Sequence, residues 1–83
     1  MPNYSDLVDL IVRRLVTKPD EVKVTETRTD TGSILVSIRV DKEDIGRVIG
    51  KKGFTINAIR HVAKAASIKS GEKVDVDVEE DDE

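Results

Sequence analysis

Two glycines three residues apart bracket two lysines in Gly50-Lys51-Lys52-Gly53, the stretch best equipped for chemistry. The task it suits is holding a phosphodiester. Glycine tolerates the positive φ at which a helix stops, and without a Cβ it lets another backbone come close. A helix that restarts after such a turn exposes N–H groups that bind phosphate oxygens. Lys51 and Lys52 at the tip add two mobile charges. Downstream, Arg60 and Lys64 stand i, i+4 on the predicted second helix and extend the positive surface. Residues 45–71 carry Arg47, Lys51, Lys52, Arg60, Lys64 and Lys69 and no Asp or Glu, a block of +6 in a chain whose formal charge is −3. All 17 acidic residues lie outside it. An incoming anion meets that local field rather than the net charge.

Other chemistries lack their parts. There is no cysteine, which removes a disulfide scaffold, a thiolate zinc site and a cysteine nucleophile. The single histidine, His61, has no serine partner suggested by spacing and reads as a surface or half-buried side chain. Neither G-x-x-x-x-G-K-[ST] nor G-x-G-x-x-G occurs, so nucleotide-binding loops of those kinds are absent. The only aromatics are Tyr4 and Phe54, too few for an array of stacked bases. No enzyme, cofactor or metal is expected.

The elements that must position this segment are legible from periodicity. Residues 4–18 read as an amphipathic helix, with Tyr4, Leu7, Val8, Ile11, Val12 and Leu15 at helical spacing, Asn3 or Ser5 as the cap, and Pro19 ending it. Residues 21–40 change to a period of two. Val22 and Val24 lead one strand, and Ile34, Val36, Ile38 and Val40 define another. Thr29-Asp30-Thr31-Gly32 supplies the turn of an antiparallel hairpin. Asp41 caps a short helix with Glu43 and Asp44 in its first turn, followed by Ile45, Val48 and Ile49 at i, i+3, i+4. A second helix runs from about Phe54 to Ser70, with Ile56, Ile59, Ala63 and Ala66 along one stripe and Gly71 past its end. Val74, Val76 and Val78 alternate with Asp75, Asp77 and Glu79 in a last strand. The order is α-β-β-α-α-β. A two-helix crossover joins parallel strands. The expected architecture is α+β, an α/β sandwich: a three-stranded mixed sheet covered on one face by three helices.

At 83 residues the chain closes one small core. No stretch approaches ~18 uncharged apolar residues, and no basic-then-apolar leader opens it, so a cytosolic protein without a membrane partner is expected. Residues 1–79 read as one domain and residues 80–83 as an acidic tail, frayed, serving either to screen non-specific binding or to maintain solubility.

The stretch from Ile45 to Arg60 resembles the KH domain, whose signature is an apolar pair, a G-x-x-G loop and isoleucines three and six residues later. Val48, Ile49, Gly50, Gly53, Ile56 and Ile59 fill those positions, and Gly46 matches a glycine that often precedes them. The element order is that of the type II KH fold over about residues 4–79, and the match is closest to the small single-KH RNA-binding proteins of bacteria, the KhpA-like group. The resemblance implies single-stranded RNA, about four nucleotides in a groove beside the loop. It implies contacts from Arg47, Ile49, Gly50, Lys51, Lys52, Gly53, Phe54, Ile56 and Arg60, with a groove floor of Ile45, Val48, Ile49 and Ile56 and the last strand near Val74 on the far side. It further implies self-association or a larger KH partner of the Jag/KhpB type, and a role as RNA chaperone or post-transcriptional regulator affecting cell shape. One position departs from the pattern. Where related small members often carry a basic residue after the second glycine, this chain has Phe54. It either packs under the loop or stacks on a base. The competing function is a protein-interaction module with RNA secondary. Steep weakening of binding by salt separates the two.

Overall fold

The computed structural model describes residues 4–79. Helix α1 (Tyr4–Arg13) leads into a 3₁₀ turn at Pro19–Glu21 and then strands β1 (Lys23–Arg28) and β2 (Ser33–Arg39). A second 3₁₀ turn, Lys42–Asp44, precedes α2 (Ile45–Ile49); α3 (Phe54–Ile68) and β3 (Lys73–Val78) complete the order α-β-β-α-α-β. The sheet order is β1-β2-β3. β1 runs antiparallel to β2 with Arg28 opposite Ile34, and β3 runs parallel to β2 with Val36 opposite Val76. This is the expected mixed sheet.

Alternation explains the packing. Ile34, Val36 and Ile38 of β2 and Val74 and Val76 of β3 are buried, while their neighbours Leu35, Arg39, Asp75 and Asp77 face solvent. Val8 and Val12 of α1, Val48 of α2 and Ile56, Ile59 and Ala63 of α3 close over that apolar face. Burying one such Val or Ile contributes about 1.5–3 kcal/mol relative to exposure. A polar clamp ties the two ends of the fold together. The Tyr4 hydroxyl donates to Glu72 Oε1 at 2.9 Å, and Arg28 holds Glu72 Oε2 at 2.9 Å.

Three expectations need correction. The first helix stops at Arg13 rather than at residue 18. Leu15 and Val16 both bond back to the Val12 carbonyl, and the Thr17 and Lys18 amides leave the helix to donate to the Asp44 carboxylate. Asp44, which lies in the first turn as expected, is also fully buried. Helix α3 ends at Ile68, and its stripe turns onto Ser67 rather than Ala66, which is exposed. The Ser67 hydroxyl satisfies itself on the Lys64 carbonyl at 2.8 Å. Gly71 takes the left-handed φ of +74° just past this helix, as expected. Asp41 does cap the turn before α2, its carboxylate accepting from the Glu43 amide at 2.9 Å. Ser5 lies within α1, its amide donating to Glu26; the expected cap at Asn3 and the run from residue 80 onward lie outside the described residues.

β3 lies at one edge of the sheet, and its own side chains occupy part of that edge. Asp75 and Asp77 accept from the Val76 and Val78 amides at 2.9 and 3.0 Å, and the Arg60 guanidinium donates to the Val76 carbonyl at 2.9 Å.

Candidate nucleic-acid interface

The turn between α2 and α3 is built on three residues of positive φ. Gly50 sits at φ 78°, ψ 173°, a region essentially reserved for glycine. A Cβ there would collide with Thr55 Oγ1 and stand 2.7 Å from Thr55 Cβ and 2.8 Å from its backbone nitrogen. Both properties of glycine are thus used at one residue. Gly53, at φ 76°, ψ 12°, uses only the dihedral freedom, since a Cβ would meet ordinary contacts at 3.8 Å and beyond. Between them Lys52 is also left-handed, at φ 56°, ψ 26°. For a residue with a Cβ this costs roughly 1–2 kcal/mol, a strain with no signal in the sequence.

The turn projects Lys51 and Lys52 into solvent. Among the described residues no carboxylate pairs with either. Helix α3 begins without a side-chain cap; its first amide, that of Phe54, donates to the Lys51 carbonyl, and the amides that follow carry partial positive charge next to the lysine-bearing turn. Charge-assisted bonds from ammonium and amide together suit an anionic oxygen.

The other predicted site residues are spread around this turn. Ile49 is half-buried against the core, as is Ile45. Val48, Ile56 and Val74 are buried and belong mainly to the core. Arg47 is exposed, yet its Nε lies 3.7 Å from Asp44 Oδ1. Arg60 is the most committed cation. Besides the Val76 carbonyl it bonds Asn57 Oδ1 at 2.8 Å and faces Asp75 at 3.4 Å. Two of the six charges in the basic block are therefore partnered by acids outside it. Phe54 does not pack under the loop; it is 75% exposed.

Asp44 is a positioning residue whose first-turn place was legible in the sequence but whose burial and partners were not. Its carboxylate takes the Thr17 amide at 3.0 Å, the Thr17 hydroxyl at 2.9 Å and the Lys18 amide at 3.1 Å. These bonds, the Thr17 amide first, hold the carboxyl below its ordinary value of 3.8 although burial pushes the other way, and Arg47 adds to the lowering. The group fixes the start of α2 against the end of α1. Asn57 was also missed. It orients both Arg60 and His61, whose Nδ1 lies 2.7 Å from the Asn57 carbonyl.

A three-stranded sheet of this order, three helices on one face, and a glycine-bounded basic turn between the second and third helices define a KH domain of type II. The sequence profile of the KhpA/KhpB KH domain matches residues 5–78, and the chain belongs to that family. It is 45% identical over 73 residues to "RNA-binding protein KhpA" of Clostridium perfringens, covering 88% of this chain and 96% of that one. It is 41% identical over 76 residues to the protein of the same name in Bacillus subtilis, covering 92% and 93%. Among solved structures it superposes on Aquifex aeolicus Era with a TM-score of 0.55 at 24% identity. That match covers 94% of this chain and 31% of Era, so it speaks for the fold alone. The family is one of KH domains rather than of enzymes. No helix among the described residues is long and apolar enough to cross a membrane.

Proposed function

We propose that the protein binds single-stranded RNA without catalysis, gripping the phosphodiester backbone at Gly50–Gly53. The observation that carries this is the turn itself. Two lysines that no described carboxylate pairs adjoin the start of α3, at a site where Gly50 admits no side chain. The name of the KhpA relatives, RNA-binding proteins, supports the same ligand. In this reading Gly50, Lys51, Lys52 and Gly53 take the phosphates, and Ile49 with the exposed part of Ile56 offers apolar surface to the bases. Arg47 adds peripheral charge. Arg60, spent on Asn57 and β3, serves as a fixed wall of the groove rather than a mobile cation. About four nucleotides fit one such groove, and splayed bases are needed to enter it.

One groove selects an RNA poorly, and a second held nearby raises avidity with no new contact type. The proposal therefore includes a second groove from another chain, either a further copy of this one or a larger KH protein of the Jag/KhpB type. RNA chaperoning or post-transcriptional control affecting cell shape is the role that fits such an assembly, and the cytoplasm is the compartment.

The test is Lys51→Asp with Lys52→Asp. Both side chains are in solvent, so the thermal midpoint is expected to stay within a few degrees. RNA affinity is expected to fall at least tenfold, and the wild-type dependence on salt to become shallower as phosphate contacts are lost. Unchanged affinity for a short single strand, or wild-type preference for duplex over single strand, overturns the reading.

A further inference from the structure

Phe54 opens α3 with three-quarters of its surface in water, although the core beneath is closed by Ile56 and Ile59. Helical spacing sets Phe54, Ala58 and His61 on the side of α3 opposite Ile56, Ile59 and Ala63. With Lys51, Lys52 and Asn57 they line an open depression of about 620 Å³ whose walls are mostly apolar. Of these six residues none belongs to the buried core. The depression is therefore surplus to folding, and its three-quarters-exposed Phe54 is the largest apolar side chain of α3.

The composition of the depression narrows its occupant. An apolar floor alone fits any greasy side chain. Here the rim carries two lysines that no described carboxylate neutralises, so the complementary ligand has both a flat apolar face and negative charge. A nucleotide has both. A nucleobase stacks on an aromatic ring irrespective of its identity, and the adjoining phosphate lies within reach of a flexible ammonium. His61 completes the wall. Its ring is anchored through Nδ1 to the Asn57 carbonyl, which leaves Nε2 to bond a ribose hydroxyl or a base edge.

We propose that this depression is a nucleotide subsite outside the groove, in which a base of the same single-stranded RNA stacks on Phe54 while its flanking phosphate is held by Lys51 or Lys52. The inference rests on the RNA-binding reading given above and deepens it. The strand passes over the tip of the turn, with the groove on one side and Phe54 on the other. The bound segment is therefore longer than the groove alone accommodates, and the added contact tolerates any base.

The chain contains no tryptophan, so Phe54→Trp supplies a single reporter. The position is exposed and the variant is expected to fold. The probe is single-stranded RNA of about four and about eight nucleotides, the shorter matched to one groove. The longer RNA is expected to quench the tryptophan, and one lacking the stacked base at a single abasic position to quench it less. Phe54→Ala is expected to bind the longer RNA about tenfold more weakly, with the salt dependence unchanged and the affinity for the shorter RNA little altered. RNA binding that survives Phe54→Ala undiminished, with no quenching of the tryptophan, overturns the subsite and leaves the proposed function standing. Quenching or a spectral shift that follows protein concentration without RNA assigns the patch to a second copy and likewise overturns it. A wild-type protein that binds neither RNA overturns both readings.

Discussion

At the scale of single residues, the two glycines of the turn carry unequal demands. Gly50 combines a glycine-only conformation with steric contact against Thr55, whereas Gly53 needs only a left-handed φ. Gly50→Ala is expected to lower stability by about 2–3 kcal/mol or more, and Gly53→Ala by about 1 kcal/mol. Urea denaturation of both variants checks this, and equal losses would refute the role of Thr55. Asp44 makes a prediction in pH. Its carboxyl is held below 3.8 in the folded chain, so it stabilises the fold fully above that ordinary value and loses this contribution as pH falls through the lower, folded one. Glu72, lowered from 4.5 by Arg28 first and then by Tyr4 and Ser70, acts in the same direction. The measurement is therefore a difference between proteins. Asp44→Asn is expected to unfold at lower denaturant than wild type near neutrality, and the gap is expected to narrow as the pH is lowered from neutrality into the acid range where the carboxyl protonates. A gap that stays constant across that range refutes the assignment.

At the scale of elements, β3 shows how an edge strand is managed. Two aspartates cap the amides of the residues that follow them and Arg60 occupies a carbonyl, leaving less free backbone for an incoming strand. Asp75→Ala with Asp77→Ala is expected to keep the far-ultraviolet circular dichroism spectrum while shortening the lag before thioflavin-positive aggregation. An unchanged lag would show that the carboxylates do not protect the edge. The elements also mark what a sequence discloses. Strands β1, β2 and β3, the hairpin turn and the basic loop were legible because alternation, turn residues and the spacing of Gly50, Gly53, Ile56 and Ile59 are local patterns. The end of α1 was not. Nothing near Arg13 breaks a helix; what ends it is a carboxylate 26 to 27 residues away, which draws off the Thr17 and Lys18 amides. Arg60 likewise reads as a free cation until β3 is folded beside it. The position of Phe54 in solvent depended on which face of α3 met the sheet, and the stripe of isoleucines already implied that face.

At the scale of the whole molecule, the lysine-bearing turn follows a helix of only five residues, α2. Isolated helices shorter than about 12–15 residues are marginal in water. This one persists because Val48 is buried in the common core, α2 packing on α3 and β3, and because Asp44 is bonded to the segment that follows α1. A synthetic peptide of residues 41–70 is expected to show little helical circular dichroism at α2 and to bind RNA only as a generic polycation does, without preference for single strands over duplex. Strand-selective binding by that peptide would show that the turn is self-sufficient. The tetrapeptide Gly50–Gly53 is therefore not a portable motif. Grafted into an unrelated loop it would keep its charges and lose its shape, so a transplant would have to carry Asp44, Thr17 and the end of α1 with it.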